Sequence, residues 1–384
     1  MQKNKGRTWG FLRAVNQLNF KRAFFELYQV HGQILKPVRG RSQDALVTLV
    51  VSFERLFHVL LFQRWTLALA GWLIFTGSAA HAGNPIFVLN SQDANVSVID
   101  SATWKETRRI ATGKEPHHIY LTPDEKSVIV ANAGGDSLTF IDPRTAEVQR
   151  MVRGTMDPYQ LRFSPDMKWF VTVANRLNHI DIYRWDGKDL SLAKRIPSGK
   201  TPSHIWIDTK STTAYATMQD SNELVAVDLA TQTLKWRVKT GEMPADVFGT
   251  PDDKHLLVGL TGGDHVEVYD VTGPQAKLVK NIATGEGAHA FRALGDGRHV
   301  FVGNRVANTI NKIDYTTLES VAQFKAPGGP DCMEVTADGK LLLVSSRWIK
   351  KVSVIDLSTG QLVRQVKVGK SPHGIWTLDH AKRY

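Results

Sequence analysis

Residues 114–154 read KEPHHIYLTPDEKSVIVANAGGDSLTFIDPRTAEVQRMVRG, and the punctuation of this stretch decides the fold. His118–Leu121 is a short apolar run closed by a Pro123-Asp124-Glu125-Lys126 turn. Ser127–Asn132, Ser137–Asp142 and Ala146–Val152 follow, each rich in β-branched or aromatic residues and bounded by Pro, Gly, Asp or Asn. Pieces of this length and composition read as strands. No apolar stripe at helical spacing interrupts them.

The pattern recurs to the C-terminus. Gly113, Gly154, Gly199, Gly241, Gly285, Gly328 and Gly369 each close a copy, at spacings of 41, 45, 42, 44, 43 and 41 residues. A repeat of this length built from short strands predicts a propeller blade. The array starts in mid-blade, because Ile86–Asn90 reads as a second strand, and the chain ends with an orphan opening strand, Lys370–Thr377. Joining the two fragments completes one blade and hides the edges of an open array. The expectation is an all-β, seven-bladed β-propeller with four-stranded blades, closed by the C-terminal strand joining the N-terminal blade.

The runs Phe87–Asn90, Ile129–Asn132, Thr172–Asn175 and Phe301–Asn304 carry a resemblance to the Tyr-Val-Thr-Asn signature of the YVTN β-propeller repeat family. The likeness extends over residues 86–378. Relatives implied by it include bacterial periplasmic and surface proteins, the nitrous-oxide reductase propeller, the d1-haem domain of cytochrome cd1, and lactonases. It fixes a fold and leaves the function among these open.

Upstream of the array, Trp65–Gly77 is an uncharged apolar core preceded by Arg64 and followed by Ala80-His81-Ala82. This order of basic, apolar and small residues fits an export signal cleaved before Gly83, so residues 64–82 read as a signal peptide and 83–384 as the propeller. The structural alternative is an uncleaved membrane anchor, extended by Leu56–Phe62. Residues 1–63 read as a basic leader, with a translation start near Val50 or Val51 as one explanation for its length.

Charge follows the same boundary. Residues 1–82 hold 11 Lys and Arg against 3 Asp and Glu, leaving the rest 37 basic and 34 acidic residues, a net of +3 against +11 for the whole chain. A nearly balanced propeller gives no bulk electrostatic signal for nucleic acid. Cys332 is the only cysteine, so sheet packing and ring closure must supply stability without an intrachain disulfide.

The chemistry concentrates where each blade opens. Aligned on the Pro, or Ala288, that follows each closing glycine, one position carries His117-His118, Tyr159-Gln160, Ser203-His204, Ala245-Asp246, His289-Ala290, Asp331-Cys332 and His373-Gly374. Just ahead of the channel-lining strand, these residues are expected to ring one mouth of the central channel. His117, His118, Tyr159, His204, Asp246, His289, Asp331 and His373 are thus the candidate ligand site, and the five histidines are the candidate metal ligands, since imidazole suits copper, zinc and iron. Repeat chemistry is the other reading: Pro fixes φ and the imidazole bonds a neighbouring blade's backbone.

The His117-His118 pair resembles the paired histidines of the nitrous-oxide reductase propeller, and a single His on such a face resembles the axial haem ligand of d1 domains. Against this, no Cys-x-x-Cys-His, cupredoxin-like segment, Gly-x-Ser-x-Gly elbow or phosphate loop occurs in the sequence. Arg162, Arg292, Glu334 and Arg347 form a candidate channel-facing set for a lactonase-like hydrolase. The reading that results is an exported, monomeric platform in the periplasm or at the cell surface that binds a small molecule or protein partner without catalysis. The alternatives are a metal- or tetrapyrrole-binding redox accessory and a lactonase-like hydrolase.

Overall fold

The computed structural model describes residues 83–383, so the expected leader, signal and any anchor lie outside the described residues. Within them, 28 strands form seven four-stranded antiparallel sheets. Blade 1 takes Pro85–Asn90, Asn95–Asp100 and Lys105–Ala111 from one end and Pro372–Thr377 from the other. The latch pairs Phe87 with Trp376 and Val88 with Ile375. The first strands of blades 2 to 7 are Pro116–Leu121, Pro158–Phe163, Pro202–Ile207, Pro244–Gly249, Ala288–Ala293 and Pro330–Val335. Each packs on the next around the axis, with Pro372–Thr377 between the last and the first. Among the described residues no helix is long and apolar enough to cross a membrane.

Burial falls from axis to rim. Second strands such as Trp169–Ala174 and Thr213–Met218 are buried throughout, whereas an outer strand such as Lys105–Ala111 exposes most of its residues. The apolar core sits between neighbouring blades. One cluster joins Trp206, Phe248, Val258 and Val302, and another joins Phe87, Leu89, Val130 and Trp376 across the latch.

In three blades the signature Asn and the closing Gly have one physical cause. Asn132 donates to Ser137 Oγ at 3.2 Å and to Thr139 Oγ1 at 2.9 Å, stapling the turn to the next strand. Asn90 and Asn304 do the same, reaching Ser97 at 2.8 Å and Asn311 at 2.7 Å. The closing glycine lies against this staple: a Cβ on Gly113 would sit 2.7 Å from Asn132 Cβ, and one on Gly369 would sit 2.5 Å from Asn90 Cγ. Gly154 departs, with open space around it and a φ of +92° that only glycine adopts easily.

The recurrent aspartates are turn caps. Asp142 accepts the backbone N–H groups of Arg144 and Thr145, both at 2.8 Å, and Asp124 accepts the Thr122 hydroxyl at 2.7 Å. Asp166, Asp252 and Asp338 repeat the second arrangement with Ser164, Thr250 and Thr336. Arg184, which replaces the capping Asp in blade 3, instead lays its guanidinium 4.6 Å above the Trp169 ring.

Candidate functional site

The first strands do not start after the histidine pairs; they contain them. Pro116 pairs with Asn132 and Ile119 with Val130, so His117 and His118 together oppose one residue of the partner strand. The same register shift follows Pro202, Pro244, Ala288, Pro330 and Pro372, and a one-residue version follows Pro158. A bulge breaks the in-out alternation of a strand and re-aims its side chains. Both rings of the His117-His118 pair therefore meet rings of other blades, which regular alternation would forbid.

All eight predicted residues come together, with every blade contributing. His117 stacks on His373 with ring centroids 3.6 Å apart and on Tyr159 at 3.9 Å. His118 meets His204 edge-on at 4.6 Å, and His204 lies 5.5 Å from His289. Asp246 Oδ1 is 2.8 Å from His204 Nδ1, and Asp331 Oδ1 is 3.2 Å from His289 Nδ1 and 3.4 Å from His373 Nε2. The five histidines and two aspartates of this ring are at most 8% exposed, because the bulges turn them inward into a plug across the axis.

The backbone-bonding explanation for the histidines accounts for one of them. His373 Nδ1–H donates to the His117 carbonyl at 2.8 Å. His289 Nε2 is instead met by the Arg305 guanidinium at 2.8 Å. His117 Nδ1, His118 Nε2 and His204 Nε2 are buried without a hydrogen-bond partner, and His204 Nδ1 and His373 Nε2 face the Asp246 and Asp331 carboxylates at 2.8 and 3.4 Å without hydrogen-bond alignment.

Burial, helped by neighbouring imidazoles, holds His117 and His118 well below the ordinary histidine range. Burial and the Arg305 charge do the same to His289. His373 is pushed down to about 3, chiefly by burial and against the pull of Asp331. These four rings are thus neutral at physiological pH, the form that can ligate a metal. Burial acts to raise Asp331, yet Arg305, His373, His289 and Arg347 outweigh it and hold the carboxyl well below its usual range. Arg305 lies 2.9 Å and Arg347 3.0 Å from that carboxylate. Burial raises Tyr159 to about 12 and pushes the Cys332 thiol well up, so neither ionises as a nucleophile.

Arg162, Arg292, Glu334 and Arg347 do not form one set, which corrects the hydrolase expectation. Arg347 follows the second strand of blade 7 and belongs to the histidine end through Asp331. Arg292 and Glu334 end their inner strands at the opposite side of the channel, 2.5 Å apart and buried. Arg292 also donates to the carbonyls of Ala381 at 2.6 Å and Lys382 at 3.0 Å, and Arg383 pairs with Glu334. The C-terminal segment after the latch strand thereby covers this end. Arg162 stacks over Trp206 at 4.5 Å. A cavity of about 70 Å³ remains between the two ends, lined by His118, His204, Asp246, Tyr120, Arg162, Arg292 and Arg383 among others.

Arg305 and Arg383 are the functional residues that sequence reasoning missed. For Arg305 a signal exists: Arg176, Arg305 and Arg347 each directly follow the last two residues of a signature run or its equivalent, Ala174-Asn175, Gly303-Asn304 and Ser345-Ser346.

Seven sheets of short Asn-signature repeats around an axial cluster of imidazoles and carboxylates define the molecule as a seven-bladed β-propeller. The chain belongs to the YNCE-like beta-propeller family, whose model matches residues 34–383. Among curated proteins, none matches the chain. Its fold is similar to that of a functionally unknown protein from Desulfotomaculum acetoxidans, at 18% identity, covering 78% of this chain and 100% of that one with a TM-score of 0.68. The periplasmic gluconolactonase PpgL of Pseudomonas aeruginosa is similar at 17% identity, 77% and 98% coverage and a TM-score of 0.66. The dihydro-heme d1 dehydrogenase NirN, solved in complex with DHE, is similar at 19% identity, 77% and 75% coverage and a TM-score of 0.56. Likeness at these identities is a likeness of fold.

Proposed function

We propose that this propeller is an exported binding protein of the periplasm or cell surface, acting without catalysis through the channel face that carries the histidine plug. The observation that carries the reading is the meeting of residues from all seven blades in one buried cluster, in which several ring nitrogens, among them His117 Nδ1 and His118 Nε2, lack partners. Around that point the turns of the same face expose Leu177 at 46%, Val306 at 46% and Trp348 at 53%, beside Arg176, Arg305 and Arg347. Exposed apolar groups interleaved with arginine suit a partner or ligand held at the mouth.

Volume weighs against the hydrolase alternative. A pocket for a drug-sized organic ligand is roughly 300–1,000 Å³, whereas the channel cavity is about 70 Å³. The carboxylates in and near it are also committed, Asp246, which lines it, to the backbone N–H groups of Val247 and Phe291, Glu334 to Arg292, and Asp331 to Arg305 and Arg347. With glucono-δ-lactone as probe, the purified chain is expected to give no hydrolysis above the spontaneous rate. Turnover that Glu334→Gln abolishes while the fold persists would establish the hydrolase instead.

Export has its own test. Ala80-His81-Ala82 predicts that the protein recovered from the periplasmic or surface fraction of its host begins at Gly83. Recovery only in the cytoplasm, or a membrane-bound form that begins upstream of Trp65, overturns the cleaved-signal reading.

A further inference from the structure

We propose that His117, His118 and His373 form a three-imidazole site for one late first-row transition-metal ion of the copper or zinc class. The inference names a ligand for the channel-face site and so rests on the binding reading above. One ligand atom from each residue can be chosen so that all three lie within 4.8 Å of one another. The residues are 3%, 8% and 0% exposed, and His117 Nδ1, His118 Nε2 and His373 Nε2 have no hydrogen-bond partner. A buried ring nitrogen without a partner is unfavourable, and three in one place are what a metal would satisfy together.

Orientation of His373 supports this choice. Its Nδ1–H is bonded to the His117 carbonyl at 2.8 Å, which fixes the tautomer and leaves the Nε2 lone pair free, 3.4 Å from Asp331 Oδ1. Metal-ligating histidines are commonly held by such a bond from the other ring nitrogen. A second grouping, His289, Asp331 and His373, is also compact. There, His289 Nδ1 is also without a hydrogen-bond partner, but Arg305 and Arg347 lie 2.9 and 3.0 Å from the Asp331 carboxylate and compete with a cation for it. His373 is common to the two groups, which argues for one ion.

Ligand type selects the metal class. Three neutral nitrogens without thiolate or a free carboxylate suit copper and zinc better than magnesium, calcium or manganese, and three protein ligands leave a coordination position open. The adjoining cavity of about 70 Å³ has room for the ion's remaining water ligands.

The test is a titration of chelator-stripped, folded full-length chain, or its mature form, with Zn²⁺ and with Cu²⁺ in separate experiments against a chromophoric competitor. One ion per chain is expected, accompanied by a rise in melting temperature. His373→Ala and the ring-preserving His117→Phe should each weaken binding by more than about 100-fold, the upper range for loss of a mere orienting partner. His265→Ala, at the start of the third strand of blade 5 and half-buried, should leave it unchanged. Absence of stoichiometric binding in folded wild type overturns the proposal, as does binding that survives replacement of all three histidines. Either failure leaves the binding reading to the lactone and localisation tests, neither of which involves the metal.

Discussion

Deleting residues 371–384 is expected to abolish cooperative folding. The latch strand Pro372–Thr377 contributes the innermost strand of blade 1, with Trp376 fully buried and its ring 5.9 Å from that of Phe87. It also packs between the first strands of blades 7 and 2, so its loss opens the ring at two interfaces and bares the edge Pro85–Asn90. Trp376→Ala alone should cost about 3–5 kcal/mol through the cavity it leaves. A whole domain is stable by only about 5–15 kcal/mol. The truncation removes that residue and, in addition, a strand ladder, Ile375 and the His373 bond. It should therefore appear as aggregated protein without a thermal transition. A truncated protein that stays monomeric and keeps its melting temperature refutes the closure by this strand.

Glu334→Gln should have the next largest effect, about 3–5 kcal/mol of destabilisation, because removing one partner leaves buried charge uncompensated. Arg292 and Arg383 both converge on this carboxylate, and Arg292 holds the C-terminal carbonyls at the same time. The effect is pH-dependent with a definite sign. Burial acts to raise the Glu334 carboxyl, but the two arginines outweigh it and hold it below its ordinary value of 4.5. A group depressed in the folded state stabilises above its unfolded pKa and loses that stabilisation as pH falls through its folded value. The stability gap between wild type and variant should thus be full at neutral pH and narrow progressively below the ordinary Glu range. Denaturant melts across that range check it, and a gap that stays constant into acid contradicts the arrangement.

Much of the architecture was legible because the repeat writes each local rule seven times. Closing glycines gave the period, and at Gly113, Gly285 and Gly369 their cause is steric: an Asn side chain that staples the next strand occupies the space of a Cβ. The unmatched strands at the two ends of the array announced the latch. The eight site residues were legible as an aligned position, since blade symmetry carries equivalent positions to one axis.

What stayed hidden depends on departures from regular geometry. Alternation along a strand cannot foretell a bulge, so the histidine pairs were placed just ahead of the inner strands and lie instead within them, buried. The joining of Arg292 to Glu334 depends on a 42-residue separation across two blades, and the tail that covers them follows the last repeat and carries no periodic signal. Arg347 was grouped with them as an arginine near an inner strand, yet the turn after its blade's second strand returns to the histidine face.

The central claim is that the axial histidines are a ligand centre and not ornament of the repeat. Anomalous diffraction at the copper or zinc edge, from crystals of the chain grown with that ion, tests it most directly. The account predicts one peak on the propeller axis, with His117, His118 and His373 nitrogens at about 2.0–2.1 Å from it. A well-ordered axis without a peak, or peaks confined to surface histidines such as His265 and His299, contradicts it.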